Sequence, residues 1–290
     1  MTGWHIGVIG GSGLYEAGAL DQMQELAVAS PFGEPSGPVT TGMIGGVRFS
    51  FLARHGAGHR LSPSAINYRA NIDALKRCGV TDILAISAIG SLREHIAPGE
   101  FVTIDQIIDR TLMRERSFFG EGLVAHVPLA DPVCPRLADL AAGAVEGAGA
   151  TVHRGGCYVA IEGPQFSTRA ESHMYRGWGG DVIGMTAMPE ARLACEAELP
   201  YALLGMVTDY DCWREADDVD VASILSLMRA NADLARVALG ELARLLPAGR
   251  EASPIDTVLD SALITAPSHR DRTLAGKLDA IAGRALRRSC

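Results

Sequence analysis

No two cysteines in this chain have the C-x-x-C spacing. The six, at positions 78, 134, 157, 195, 212 and 290, are scattered, so they spell neither a zinc site nor a disulfide framework. They read as reduced thiols of a cytoplasmic protein. Positive charge is also scarce: 26 Lys and Arg stand against 34 Asp and Glu, a formal net charge of −8. That excludes a general nucleic-acid binder or a protein that coats acidic membranes, while leaving room for a local basic pocket. No apolar run approaches the ~20 residues of a membrane helix. The first apolar run has no basic segment before it and is broken by Gly10, Gly11 and Gly13, so no signal peptide is expected. There is no internal repeat, and no low-complexity linker through residue 246. What is present is ordinary for a globular protein: 290 residues, 48% hydrophobic and 21% charged, enough for one large α/β domain or two small ones.

Strand and helix patterns alternate along the chain. Residues 4–9, 47–53, 83–86, 101–104 and 182–183 read as strands, and so does the apolar run Tyr201-Ala-Leu-Leu-Gly-Met-Val207. Helical spacing covers 66–78, ending at Gly79, an Ala-rich stretch at 136–148, a segment from Pro189 to about 198, and most of 219–246 before Pro247. This order predicts an α/β fold: a single domain with a central mixed, mostly parallel sheet covered by helices on both faces. Residues 1–246 form that unit. Residues 247–290 form a tail, loop-bearing at 247–271 with a short closing helix at 272–288, packed on the domain or on a neighbouring subunit. Several strand ends run into polar or Gly-containing turns, at 10–13, 54–59, 87–91, 184–186 and 208–211. Aligned at one sheet edge, where open α/β sheets bind ligands, these five segments would line one cleft.

The chemistry is concentrated in those turns. Gly10-Gly-Ser12-Gly13 lets backbone N–H groups approach an anion, with the Ser12 hydroxyl as a further donor. The alternative is a simple tight turn; neither the G-x-G-x-x-G fingerprint nor a Walker lysine is present. Arg54 brings a planar fork suited to phosphate and His55 a ring donor, with His59 and Arg60 adding positive potential. Ser87 and Thr186 each place a small hydroxyl at an expected strand end. A bound phosphate explains all four segments jointly. In Thr208-Asp209-Tyr210-Asp211-Cys212, two acids two residues apart project the same way if the extended path continues. Such carboxylates need a partner, and a 6-aminopurine supplies one through N7 and its exocyclic amino group. Phe166 is placed to stack on a flat base with Ser167 beside it, and Met185 offers a soft apolar surface to a sugar. The other reading of Phe166 is ordinary core. His126 fits a pocket, an interface or a plain structural role, and His153 has no partner motif.

Taken in order, Gly10-Gly-Ser-Gly13, Leu52-Ala-Arg-His-Gly56, Asn67-Tyr-Arg-Ala-Asn71, Gly90-Ser-Leu-Arg93, Ile161-Glu-Gly-Pro164, Ser167-Thr-Arg-Ala-Glu-Ser172, Met185-Thr, Met188-Pro-Glu190 and Thr208-Asp-Tyr-Asp-Cys-Trp213 resemble the 5′-methylthioadenosine phosphorylases. These are the 6-aminopurine members of the trimeric purine nucleoside phosphorylase family. The match runs in register from about residue 5 to 246. It implies phosphate held by Ser12, Arg54, His55, Ser87 or the Ala88 backbone, and Thr186. It implies the base held by Phe166, Asp209 and Asp211, with Met185 against the ribose. Val221 and Leu225 match an apolar 5′ pocket, and His126 a position lent by the next subunit, as would be a tail residue such as Leu263. Relatives selective for 6-oxopurines place Asn where Asp209 stands. Ser12 and Ser87 stand where relatives often have Thr, Gly184 where some have Asn, and Gln165 where some have Arg or Lys.

The resemblance implies phosphorolysis of methylthioadenosine to adenine and 5-methylthioribose 1-phosphate, a step of methionine and purine salvage. Asp209 would be the general acid toward N7, Asp211 would recognise the 6-amino group, and phosphate would attack the anomeric carbon. It implies a homotrimer and no metal or organic cofactor, with no nucleic-acid or membrane partner. Alternative readings are the same reaction on adenosine, 5′-deoxyadenosine or methylthioinosine, hydrolysis by water, and a non-enzymatic ligand-binding or dinucleotide-binding protein.

Overall fold

The structure, a computed structural model, describes residues 3–11, 20–214 and 221–288, and of 221–226 and 228 the backbone alone. In chain order its elements are β1 (His5–Gly10), β2 (Asp21–Leu26), β3 (Val39–Ile44), β4 (Val47–Ala53), α1 (Tyr68–Arg77), β5 (Asp82–Ser91), β6 (Phe101–Thr103), β7 (Gln106–Asp109), α2 (Pro135–Gly147), β8 (Val152–Arg154), β9 (Cys157–Ala160), α3 (Arg169–Gly177), β10 (Val182–Gly184), α4 (Ala187–Glu196), β11 (Tyr201–Asp209), α5 (Val221–Leu245), α6 (Leu259–Ala262), α7 (Arg272–Lys277) and α8 (Asp279–Arg288). The strands form one mixed sheet. Its main path runs β2-β3-β4-β1-β5-β10-β9-β7, with β11 on β5, β6 on β11 and β8 on β6. Pairings of β1 with β4 and β5, β5 with β11, β9 with β7 and β10, and β6 with β8 are parallel. The rest are antiparallel.

Parallel strands buried on both faces read as unbroken apolar runs, and β1, β5 and β11 follow that rule. β2 does not: Asp-Gln-Met-Gln-Glu-Leu is almost entirely exposed, so the sequence carries no burial pattern to reveal it. β5 is longer than the expected 83–86. It continues through Ser87 to Ser91 because β11 pairs with it past Ser87 and β10 pairs with Gly90 and Ser91. Ser87 is therefore a mid-strand residue and not part of a turn.

The helices begin where side chains can take up free N–H groups. Asn67 caps α1 by accepting from Ala70 N, Pro135 opens α2, and Thr168 with Glu171 forms a capping box on α3. α2 packs with α5 and both lie on β11, while α1 packs with α4. The tail folds back on the same chain. Leu259, Leu278, Ile281 and Ala282 are buried in the main core, α8 packs on α1, and residue 263 bridges residue 125. Among the described residues no helix is long and apolar enough to cross a membrane.

Candidate active site

Strand β4 delivers Arg54 into the core, where the residue is 2% exposed. Its fork, expected to face an anion, is closed on Glu190 of α4: Nε donates to Oε1 at 2.8 Å and Nη2 to Oε2 at 3.0 Å. Nη1 donates to the Ile86 carbonyl and Nη2 to the Ile9 carbonyl, each at 3.1 Å. Burial alone would lower the guanidinium pKa, but the Glu190 carboxylate reverses this and keeps it charged. Tyr201 donates to Glu190 Oε2 at 3.0 Å. Four of the five guanidinium N–H groups are thus used within the protein. Because Ile9 and Ile86 precede Gly10 and Ser87, Arg54 ties β1, β4 and β5 together where the anion was expected.

Beside it, Ser87 Oγ lies 3.4 Å from Thr186 Oγ1, and Ala88 follows, half-buried. His55 is half-buried, with Nδ1 2.8 Å from the Leu61 carbonyl and its ring stacked on His59 at 4.0 Å between centroids. Burial, reinforced by the charges of Arg54, His59 and Arg114, lowers its pKa to about 4. A neutral imidazole whose Nδ1 donates to a carbonyl presents Nε2 as an acceptor.

The acidic pair forms differently from the expected extended path. The β5–β11 register shifts between Val207 and Asp209, a bulge at Thr208 of the kind that re-aims side chains. Asp211 then has φ +33°, and its N–H donates to Asp209 Oδ1 at 2.8 Å. Thr208 Oγ1 lies 2.7 Å from Asp209 Oδ2 and 3.2 Å from the Ile89 carbonyl. Both acids still lie against one point of β5: a Cβ on Gly90 would sit 3.0 Å from Asp209 Oδ1 and 3.5 Å from Asp211 Cβ. Burial raises the pKa of Asp209, with Thr208 and the Asp211 N–H pulling the other way. Burial raises that of Asp211, with the Ser172 hydroxyl and the Cys212 N–H pulling the other way and the Asp209 charge adding to the rise. Asp211 Oδ2 and Ser167 Oγ are buried without a hydrogen-bond partner among the described residues. Buried polar atoms of this kind call for a donor or acceptor from elsewhere.

Two further segments wall this region. Phe166 is exposed rather than core, on a loop joined to the acidic turn by Cys212 Sγ, 3.1 Å from the Ser167 carbonyl. Met185 packs on Gly163, whose φ is +66° and whose Cβ, if present, would lie 2.5 Å from the Met185 sulfur. The positive φ favours glycine there. Gly184 is required, because Tyr158 fills the space a Cβ would need.

The structure therefore brings Arg54, His55, Ser87, Ala88, Met185, Thr186, Asp209 and Asp211 to one region of the sheet, with Phe166 on the adjoining loop. His126 is exposed elsewhere in the chain, its N–H bonded to the Ala262 carbonyl. Ser12 lies outside the described residues, as do the side chains of Val221 and Leu225. Sequence reasoning assigned no role to Glu190, Tyr158, Glu162 or Arg114. The Met-Pro-Glu triplet was a signal for Glu190, since a charge among apolar helix residues needs a partner; nothing local marks Arg114 as buried. Among the described residues, no cluster of His, Cys, Asp and Glu is arranged to hold a metal ion.

The sequence signature of the Phosphorylase superfamily matches residues 5–244. The chain is 54% identical over 290 residues to the S-methyl-5′-thioadenosine phosphorylase of Bradyrhizobium diazoefficiens, covering 99% of this chain and 100% of that one. A crystal structure of a methylthioadenosine phosphorylase from an antarctic soil metagenomic library superposes with a TM-score of 0.92 at 44% identity, over 96% of this chain and 99% of that one. The Schistosoma mansoni methylthioadenosine phosphorylase in complex with adenine superposes with a TM-score of 0.84 at 36% identity, over 89% and 98% of the two chains.

Proposed function

Because the chain belongs to the phosphorylase superfamily, we propose that it catalyses the phosphorolysis of 5′-methylthioadenosine to adenine and 5-methylthioribose 1-phosphate, as a pentosyltransferase. The observation that carries this reading is the layout of β5. Ser87 meets the Thr186 hydroxyl at one position, and three residues on, ~10 Å along the strand, Gly90 meets both acids. Ser87 and Gly90 thus mark two contact points on one strand, the first assigned in this reading to the anion and the second to the base.

In this reading phosphate is bound by the Ser87 and Thr186 hydroxyls, the Ala88 backbone and Ser12. Neutral His55 accepts from a phosphate hydroxyl through Nε2, and Arg54 contributes its charge and its one remaining N–H. Phe166 stacks on the base, Met185 lies against the ribose, and Val221 and Leu225 line the 5′ pocket. Breaking the N-glycosidic bond leaves a cation-like ribosyl centre and an electron-rich adenine. Asp209, whose pKa burial raises, donates from its acid form to N7 so that a neutral base departs. Asp211 accepts from the 6-amino group. Phosphate attacks the anomeric carbon, and its charge offsets the developing cation. No cofactor enters these steps.

We also read 1–246 as the catalytic unit and the chain as a cytoplasmic homotrimer in which His126 and Leu263 of one copy approach the 5′ pocket of the next. Adjacent exposed apolar residues, Leu112 (75%) and Met113 (81%), support an interface. The deciding assay is adenine release from methylthioadenosine with and without phosphate. Release that requires phosphate, with methylthioribose 1-phosphate as co-product, is expected. Equal release in phosphate-free buffer would make the enzyme a hydrolase.

A further inference from the structure

We propose that Arg114 is a positioning residue for both halves of the site, holding the sugar-side wall and the Thr186 hydroxyl in register. The proposal rests on the phosphorolysis reading for what those halves bind. Arg114 lies in the loop after β7, yet it is only 7% exposed. Nη1 donates to the carbonyls of Met185 at 2.5 Å and Met188 at 2.6 Å, and lies 3.2 Å from the Tyr68 hydroxyl. Nη2 donates to the Glu162 carbonyl at 2.6 Å and reaches that of Ile161 at 3.4 Å. One guanidinium therefore joins the segment after β9 to the segment after β10.

These carbonyls depend on it. Met188 interrupts α4 with φ −116° and ψ 135°, and Pro189 follows without an N–H, so regular helix bonding is broken where Met188 is 3% exposed. A buried carbonyl left without a donor is costly. The grip is reciprocal. Glu162 accepts from Leu112 N at 2.5 Å and Met113 N at 3.2 Å, and its carboxylate also takes the Ser64 hydroxyl. Between the two clamped segments, Gly163 and Met185 touch with no room for a methyl group. Thr186, bracketed by the held residues 185 and 188, is the one that meets Ser87. A lysine substitutes only in part, because a point ammonium has no planar fork to span two segments.

The test compares Arg114→Met, Arg114→Lys and, as a control, Arg250→Met. Arg250 is another buried guanidinium, bonded to Asp256 at 2.7 Å and to Asp82. Kinetics are normalised to folded protein, and adenine and phosphate binding are measured by calorimetry. Arg114→Met is expected to raise KM for both nucleoside and phosphate about ten-fold or more, since small misplacements at a reacting centre cost that much. Millimolar guanidinium should recover part of the loss. Arg114→Lys should be intermediate, and it answers the question if the Met variant does not fold. Arg250→Met should lower Tm and leave both KM values unchanged. KM values and binding constants of the Arg114 variants within two-fold of the parent would overturn the proposal. A parent enzyme without phosphate-dependent turnover would sink the functional reading instead, and the binding data would still decide the role of Arg114.

Discussion

In the proposed mechanism Asp209 is the residue on which the chemistry turns, and its surroundings fit a carboxyl rather than an amide there. Both oxygens are held, one by the Thr208 hydroxyl and one by the Asp211 N–H, while burial favours the neutral acid. Asp209→Asn keeps the shape and the two contacts but cannot give up a proton at the cost an acid can. We expect kcat on methylthioadenosine to fall ~10²–10⁴-fold with Tm nearly unchanged, and activity on 6-oxopurine nucleosides to appear; full retention of methylthioadenosine turnover would remove Asp209 as the acid. The residue types of the candidate site were legible in the sequence: two acids after an apolar strand, small hydroxyls at 87 and 186, a basic pair at 54 and 55. What was not legible is what each side chain spends its donors on. The Arg54 fork reads as an anion clamp until Glu190, 136 residues away, closes on it.

At the scale of elements, strands with apolar continuity were read closely: residues 47–53 form β4 as expected, and β1 differs by one residue at each end. Elements defined by partners were not. β5 outruns its apolar core because β11 and β10 continue the ladder past Ser87, and β2 has no hydrophobic face to announce it. α3 was missed although Thr168-x-x-Glu171 is a capping box written in the sequence; its polar composition hid it. β1 also carries a titrating device. His5 Nε2 lies 2.8 Å from Ser50 Oγ on β4, and burial, then the Arg48 charge, lowers its pKa from 6.5 to about 4. With the folded pKa below the unfolded one, the unfolded chain binds the extra proton. Stability from this group is therefore full above about pH 6.5 and lost as pH falls toward 4. Glu196, raised by burial to about 7, acts in the opposite sense over an overlapping range, so the informative quantity is a difference between variants. Relative to the parent, His5→Gln should lose about 1–2 kcal/mol less stability between pH 7 and pH 5, measured by urea unfolding at both pH values. An identical loss would mean that His5 is not the titrating group.

At the scale of the molecule, the tail is part of the same core. Leu259, Leu278 and Ile281 are each at most 1% exposed. At ~1.5–3 kcal/mol for each buried side chain, they contribute an amount comparable to the ~5–15 kcal/mol that separates a folded domain from its unfolded chain. Arg284 also holds Glu198 at 2.5 Å, and Trp4 Nε1 donates to the Pro247 carbonyl at 2.9 Å. A truncation to 1–246 should therefore show no cooperative thermal transition, or one lowered by more than about 10 °C; a transition at the parental Tm would make the tail an accessory. The sequence by itself determined the α/β alternation, the family and the chemical types at the site, because apolar periodicity and the kinds of donor and acceptor are local properties of the chain. Only the tertiary structure decided that Arg54 binds Glu190, that a bulge at Thr208 and a turn at Asp211 bring both acids against Gly90, and that Arg114 joins two distant segments. Each of those depends on which groups meet when strands far apart in sequence pack, and a linear order of residues does not contain that distance.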